Sequence, residues 1–182
     1  MGFRVIDNFL TKPRLNLVRY EFRKLKENIP LKWFSEPYPG MKVKHTKKVI
    51  LKEAVKHYNF KKYIGFEEWS QNNTQCNSHV DKDEGYFKRT NGRLKLPICS
   101  IVFYVEVENL EGGRLMLGED IITPKTNRLV MFDPGIHHHV EPFNGTRRTY
   151  LINPWNSMPE NYLSWVINLI NYTTILDQCG HW

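Results

Sequence analysis

The sequence predicts a mainly β fold with flanking helices, a jelly roll, on three observations. Between residues 48 and 152, short apolar or alternating segments recur with turn signals between them at regular spacing. Aromatic residues make up 13% of the chain, including five Trp, and such side chains fit a pleated, half-buried surface. At both ends the alternation gives way to helical spacing.

Taken in order, a short opening strand over 3–6 leads into an amphipathic helix that ends near Asn28. Thr11 can cap it and Pro13 suits its first turn. Leu17, Val18, Tyr20, Phe22 and Leu25 supply its buried side. Residues 29–47 carry Pro30, Pro37, Pro39 and Gly40 and read as a long irregular connection. Strands are expected over 48–51, 66–71, 76–80, 99–107, 114–117, 128–132, 136–141 and 147–152. Turn signals fall among them at Glu111-Gly112-Gly113, Asp133-Pro134-Gly135 and Asn144-Gly145. A closing helix is expected over 157–171, with Ser157 and Glu160 as a capping box and Tyr162, Leu163, Val166, Ile167 and Ile170 on the sheet. No repeat or linker interrupts the pattern, so 1–182 is expected to be one domain: a helical flank (1–47), a β core (48–155) and the closing helix.

Hydrophobic residues at 41% and charged residues at 25% describe an ordinary globular chain. No apolar run approaches membrane-spanning length, and no membrane partner is expected. The first residues lack the layout of a secretory signal, which predicts a cytoplasmic protein. Cys76, Cys99 and Cys179 are odd in number and form no CxxC pair, which disfavours a zinc knuckle or disulfide framework. The net charge is +7, much of it in Lys42, Lys44, Lys47, Lys48, Lys52 and Lys56 and in Lys88, Arg89, Arg93 and Lys95. Such groups can attract nucleic acid, but solvated edges and loops account for them more simply.

His79-Val80-Asp81 is the first chemical signal. Residues two apart on a strand share a face, so both side chains can reach one point. A second histidine would complete two imidazoles and one carboxylate, the facial triad of non-haem iron(II) oxygenases. Alone, His-x-Asp is a weak pattern, since the tripeptide arises often by chance. His137-His138-His139 offers three candidates, and His138 is selected because Ile136, His138 and Val140 share one face. Asn144-Gly145 as a two-residue hairpin turn gives the same answer: it sets Pro142 opposite Arg147 and His138 opposite Leu151. His138 and Arg147 then point into one interior. Arg147, about 13 Å along the strand from His138, could grip the far carboxylate of a five-carbon diacid with its planar fork. The alternative for Arg147 is a surface charge beside Arg148.

These residues together resemble the 2-oxoglutarate/iron(II) dioxygenase superfamily and, within it, the prolyl 4-hydroxylase-like branch. The resemblance covers roughly residues 66–155, and more loosely Val5-Ile6-Asp7-Asn8-Phe9-Leu10. It rests on His79 and Asp81, on His138-His139-Val140, on Arg147 nine residues after His138, and on the intervening Ile101-Val102-Phe103-Tyr104-Val105 and Gly112-Gly113-Arg114-Leu115. It implies a double-stranded β-helix of the cupin-like kind. It implies Fe(II) held by His79, Asp81 and His138, with 2-oxoglutarate as co-substrate, O2 as oxidant and ascorbate as a supporting reductant. Arg147 and Tyr104 would hold the far carboxylate of 2-oxoglutarate, Leu115 would line its pocket, and Ser100 and Leu151 would border it. The implied reaction hydroxylates an unactivated C–H bond while 2-oxoglutarate becomes succinate, with a protein or peptide residue such as proline as substrate.

Other readings stay open. The same core could hydroxylate a small molecule or nucleic acid, although Asn153 and Pro154 stand where the nucleic-acid dealkylase branch carries a second arginine. A catalytically silent β-helix could serve as a binding module. A cupin-like isomerase or dioxygenase without a 2-oxo acid usually gathers three histidines and a glutamate, which fits poorly here. Segment 82–97 is either a lid over the metal or an exposed hairpin. The aromatic loop 33–40 is either a peptide-binding rim or a packed connection.

Overall fold

The computed structural model describes residues 2–25, 28–35 and 44–162, with side chains from Thr46 onward in the last stretch. Among these residues the elements run β1 (Phe3–Ile6), α1 (Lys12–Arg23), β2 (Lys32–Ser35), α2 (Lys44–Val55), β3 (Gly65–Asn72), β4 (Cys76–His79), α3 (Glu84–Arg89), β5 (Ser100–Gly112), β6 (Leu115–Leu117), β7 (Asp120–Ile122), β8 (Arg128–Phe132), β9 (His138–Val140) and β10 (Phe143–Trp155). A six-stranded sheet has the order β1-β8-β5-β10-β3-β2, and a four-stranded sheet the order β4-β9-β6-β7. Every pairing is antiparallel. The expected jelly roll is the fold observed.

Apolar burial occurs on both faces of the larger sheet. One cluster joins Ile101, Phe103 and Val105 of β5 and Tyr150 and Ile152 of β10 to Val18 and Phe22 of α1 and Ile50 and Ala54 of α2. The other joins Val102 and Tyr104 of β5 to Leu115, Leu117, Ile122 and Val140 of the smaller sheet. Alternate side chains of β5 thus meet helices and the facing sheet, which is why its sequence is a continuous apolar run. The candidate site lies between the two sheets.

Several expectations are corrected. Residues 48–51 belong to helix α2, because Lys47, Ile50 and Ala54 form a buried stripe at helical spacing and the three-residue apolar run Val49-Ile50-Leu51 cannot distinguish the two periods. The connection 29–47 contains strand β2, whose Phe34 is buried and stacks 5.4 Å from Phe66, as well as the first turn of α2. Lys47 is buried, not solvated: its Nζ lies 3.3 Å from a Glu68 carboxylate oxygen and 4.8 Å from the ring centres of Phe34 and Phe66. Thr11 stands at the head of α1 without a side-chain capping bond, and α1 ends at Arg23. Segment 82–97 is not a hairpin, and its Lys82, Asp83 and Glu84 border a cavity that His79 and Asp81 also line. The segment carries α3, capped by Asp83 accepting from the Tyr86 N–H at 3.0 Å and tied down by the Arg89–Glu160 ion pair at 2.6 Å. Most of the expected closing helix, residues 36–43 of the aromatic loop region and Cys179 lie outside the described residues. Among the described residues no helix is long and apolar enough to cross a membrane.

The largest correction concerns Asn144-Gly145. It is not a hairpin turn, because β10 runs through it and pairs with β5 on one side and β3 on the other. Register shifts between Asn144 and Thr146 and between Arg148 and Thr149 mark two bulges, with the extra residue on β5 each time. Gly145 has φ +103°, and a Cβ there would lie 2.1 Å from the Asn109 carbonyl oxygen, so the glycine permits a close approach of strands. His138 therefore does not oppose Leu151. Its strand β9 belongs to the smaller sheet, between β4 and β6.

Candidate metal centre and its cavities

β4 is a short strand that ends at His79, and β9 places His138 directly across from it as a register partner. The two rings stand 4.3 Å apart, and Phe132 packs edge-on against His138 at 4.9 Å. Asp81 follows two residues after His79, while Val80 between them is buried. His79 Nε2 lies 3.6 Å from Asp81 Oδ1, and His138 Nε2 lies 3.7 Å from Asp81 Oδ2. One ligand atom from each of the three residues lies within 4.8 Å of the others. His138 is selected from its run by strand alternation: it is buried, His137 is exposed and His139 is half-buried.

The surrounding bonds orient these groups. His79 Nδ1 lies 2.8 Å from the Asn77 carbonyl oxygen and His138 Nδ1 lies 3.0 Å from the Ile136 carbonyl oxygen. An Nδ1–H donated to a backbone carbonyl turns each Nε2 toward Asp81, so that a metal bound there would meet an Nε2 lone pair from each ring, which is how ligand histidines are commonly fixed. Ser100 Oγ donates to Asp81 Oδ2 at 2.5 Å. Burial opposes ionisation of Asp81, but the His79 hydrogen bond, the charge of His138 and the Ser100 hydroxyl outweigh it and hold the carboxyl below its ordinary range. The Asp81 hydrogen bond, with Cys76 next, raises the His79 imidazole to about 10. Burial lowers His138. The donor set, two nitrogens and one carboxylate oxygen, suits Fe(II) with positions left open for other ligands.

A cavity of about 50 Å³ adjoins the triad, and His79, Asp81, His138, Ser100, Leu115, Leu151 and Arg147 all line it. Tyr104, the remaining candidate, lies beside Arg147, whose guanidinium centre is 5.2 Å from the Tyr104 ring centre. Arg147 is 1% exposed and Tyr104 is fully buried. Arg147 Nε and Nη1 and the Tyr104 hydroxyl have no hydrogen-bond partner among the described residues. Burying unpaired donors, above all on a cation, is costly unless a ligand completes them. A carboxylate reaching this end of the cavity would accept from all of them, so the residues fit a dicarboxylate such as 2-oxoglutarate.

Sequence reasoning missed the wall formed by β3 and β10. Glu67, Trp69 and Gln71 alternate along β3, opposite Asn153, Leu151 and Thr149 of β10. The signal was present in the two-residue period of 66–71, which puts three polar or amphipathic side chains on one face of a central strand. Glu67, Trp69 and Asn153 also line a second cavity of about 220 Å³ that shares His79 and Asp81 with the first. Glu67 accepts from Trp155 Nε1 at 2.8 Å and from the Tyr162 hydroxyl.

Burial raises the Glu67 carboxyl from 4.5 to about 7. Between these values the folded chain holds a proton that the unfolded chain has lost, so stability falls as pH rises from 4.5 to 7. Glu67→Gln lacks this loss. Its stability relative to the unchanged chain should improve by about 1–3 kcal/mol across that window, read by denaturant unfolding at both ends. A pH-independent difference would remove Glu67 as a buried titrating group.

The profile of the 2OG-Fe(II) oxygenase superfamily matches residues 60–156 of the chain. No curated sequence matches it. Among solved structures, the chain is similar to a prolyl-4-hydroxylase from Pseudomonas putida, with a TM-score of 0.60 and 18% identity over 86% of this chain and 94% of that one. It is similar to a prolyl hydroxylase from Trichoplax adhaerens, solved with a hypoxia inducible factor oxygen degradation domain peptide fragment, with a TM-score of 0.57 and 14% identity over 85% and 84%. A viral collagen prolyl hydroxylase from Paramecium Bursaria Chlorella virus-1, solved as its 2OG complex, matches with a TM-score of 0.53 and 13% identity over 85% and 95%. At these identities the structural likeness is one of fold.

Proposed function

From the premise that this chain belongs to the 2OG-Fe(II) oxygenase superfamily, and is therefore an oxidoreductase using Fe(II) and 2-oxoglutarate, we propose that it hydroxylates a peptide or protein residue, proline foremost. In this reading His79, Asp81 and His138 hold the iron. Arg147 and Tyr104 hold the far carboxylate of 2-oxoglutarate, with Leu115, Leu151 and Ser100 along its sides. The reaction takes one C–H bond, O2 and 2-oxoglutarate to an alcohol, CO2 and succinate. Bound iron supplies the activation of O2.

The chain's own residues do the rest. The two backbone carbonyls that accept from the Nδ1 atoms keep both imidazoles in one orientation. Ser100 keeps one Asp81 oxygen in place while the other remains near His79. Arg147 and Tyr104 offer matched donors from a buried wall, so a diacid that engages them points its other end at the triad. Leu115, Phe132 and Val140 are apolar and buried on that side, which restricts water around the reacting centre.

The observation that carries this reading is the meeting of the His79–Asp81–His138 cluster and the unpaired Arg147 guanidinium in one cavity. The peptide substrate is supported by the prolyl hydroxylases among the similar structures. A nucleic-acid substrate is disfavoured, in part because Lys47 is ion-paired inside the protein and adds nothing to a basic surface. We read residues 1–182 as one domain of a cytoplasmic protein, a location consistent with the free thiols of Cys76 and Cys99.

Purified protein given Fe(II), ascorbate and 2-oxoglutarate should form succinate slowly without substrate. Peptide, nucleic-acid and metabolite pools should then be screened by mass spectrometry, and the peptide pool is expected to gain one oxygen at proline. Succinate no higher than in an iron-chelated control would overturn the reaction. Oxygen gained only in another pool would overturn the substrate.

A further inference from the structure

We infer that the larger cavity is a substrate subsite for a cationic side chain, a primary ammonium or guanidinium, recognised by Glu67 and Asn153. The inference rests on the oxygenase reading, since the cavity opens onto the proposed metal ligands His79 and Asp81. It adds what the substrate must carry.

Geometry places the pair. Glu67 of β3 and Asn153 of β10 are register partners on adjacent strands. They share the inner face of the larger sheet with Trp69 and Leu151, and both line the larger cavity. Arg147 lies on the same face of β10, six residues before Asn153. Co-substrate and substrate anchors would thus stand at opposite ends of one row.

Chemistry specifies the ligand. Asn153 is 3% exposed, yet its carboxamide oxygen has no hydrogen-bond partner. It is an acceptor left over in a wall shared by both cavities. Glu67 is 8% exposed and accepts from the neutral donors of Trp155 and Tyr162, and among the described residues no cation forms an ion pair with it. Of the other carboxylates lining the cavity, Asp81 faces His79 and His138 in the proposed metal cluster, and the remaining two are already matched. Asp83 pairs with Lys95 at 3.0 Å, and Glu84 with Lys82 at 2.7 Å. An orphan acceptor beside a carboxyl group that no cation pairs calls for a positively charged donor, whose charge favours the ionised form of Glu67 over the protonated form that burial favours.

A backbone amide could satisfy Asn153 but would leave Glu67 without a countercharge, and an anionic group would be repelled. The net charge of +7 makes this acidic wall a local feature and not a reflection of the whole chain. Trp69 adds an aromatic face of the kind that attracts ammonium and guanidinium groups. About 15 Å³ suffices for one water, so about 220 Å³ leaves room for an extended side chain. The cation can belong to a peptide residue next to the target or to a free basic amino acid.

The test is calorimetric titration of the full chain loaded with manganese(II) and 2-oxoglutarate without oxygen, so that no turnover is needed. The probes are N-acetylated, amidated Pro-Lys and Lys-Pro, the same dipeptides with norleucine or glutamate in place of lysine, and free L-lysine. The better lysine dipeptide should bind at least about tenfold more tightly than its norleucine counterpart, as a charge-assisted hydrogen bond implies. Glu67→Gln, which keeps an acceptor for Trp155, should erase that preference while leaving norleucine binding unchanged.

Equal binding of lysine and norleucine, tighter binding of glutamate, or no binding of any lysine probe would overturn the inference. The comparison on the unchanged chain decides this even if the variant fails to fold. Free L-lysine matching the dipeptides would keep the cationic subsite and remove the peptide from the proposed function. Absence of a lysine preference in the unchanged chain while 2-oxoglutarate still binds would remove the subsite and leave the oxygenase reading intact.

Discussion

Replacing His138 with alanine should reduce succinate formation more than about a hundredfold, whereas His139→Ala should retain most of it. Substitutions around a bound metal typically cost ten- to a hundredfold even when the ligands themselves survive, and loss of a ligand costs more. The contrast between neighbours follows from β9, where His138 faces His79 across the strand pair and His139 pairs with Met116 on the half-exposed side. Manganese(II) titration of both variants separates metal loss from damage to the fold. Equal losses in the two, or a greater loss in His139→Ala, would mean that the neighbouring imidazole is the ligand.

Arg147 gives the second large effect, with a signature in stability as well as rate. Arg147→Ala should raise the 2-oxoglutarate concentration for half-maximal rate by about 10- to 100-fold, the worth of one or two charge-assisted hydrogen bonds. Metal binding should be nearly unchanged, since Arg147 is not part of the ligand cluster. Without co-substrate, Arg147→Met should be at least as stable as the unchanged chain, because it removes a buried guanidinium that lacks partners at two nitrogens. Saturating 2-oxoglutarate should raise the melting temperature of the unchanged chain and fail to do so for Arg147→Met. An equal rise in both would show that the co-substrate binds elsewhere.

The grouping of the candidate residues was legible in the sequence because its parts obey local rules. His79 and Asp81, two apart in an extended segment, reach one point although β4 ends at His79, and the middle of three histidines between Ile136 and Val140 follows from the two-residue period. Asn144-Gly145 does not form the hairpin turn expected of it, so a turn does not bring His138 and Arg147 together. An Asn-Gly pair favours a tight turn, but here it sits in a long strand whose pairing with β5 is tertiary, and glycine serves to let Asn109 approach. The two residues meet because β9 and β10 lie in facing sheets.

Helix α2 and Lys47 were misread for a related reason. A lysine in a basic stretch looks solvated until a buried Glu68 on another strand pairs with it, and no local pattern announces that partner. Asn153 and Glu67 were invisible as a pair, because their register depends on β10 lying between β5 and β3.

The two bulges in the β5–β10 pair have a consequence for that row of side chains. Both extra residues fall on β5, so β10 keeps strict alternation from Arg147 through Leu151 to Asn153. At ~3.3 Å per residue those six steps span roughly 20 Å. Strand β10 is in effect a ruler, with marks for a guanidinium, a leucine and a carboxamide at fixed intervals. A residue added to or removed from β5 can be absorbed by a bulge, while the same change between Arg147 and Asn153 would turn one mark away from the others. Changes of chain length are therefore tolerated in β5 and its loops and constrained in β10 between Arg147 and Asn153.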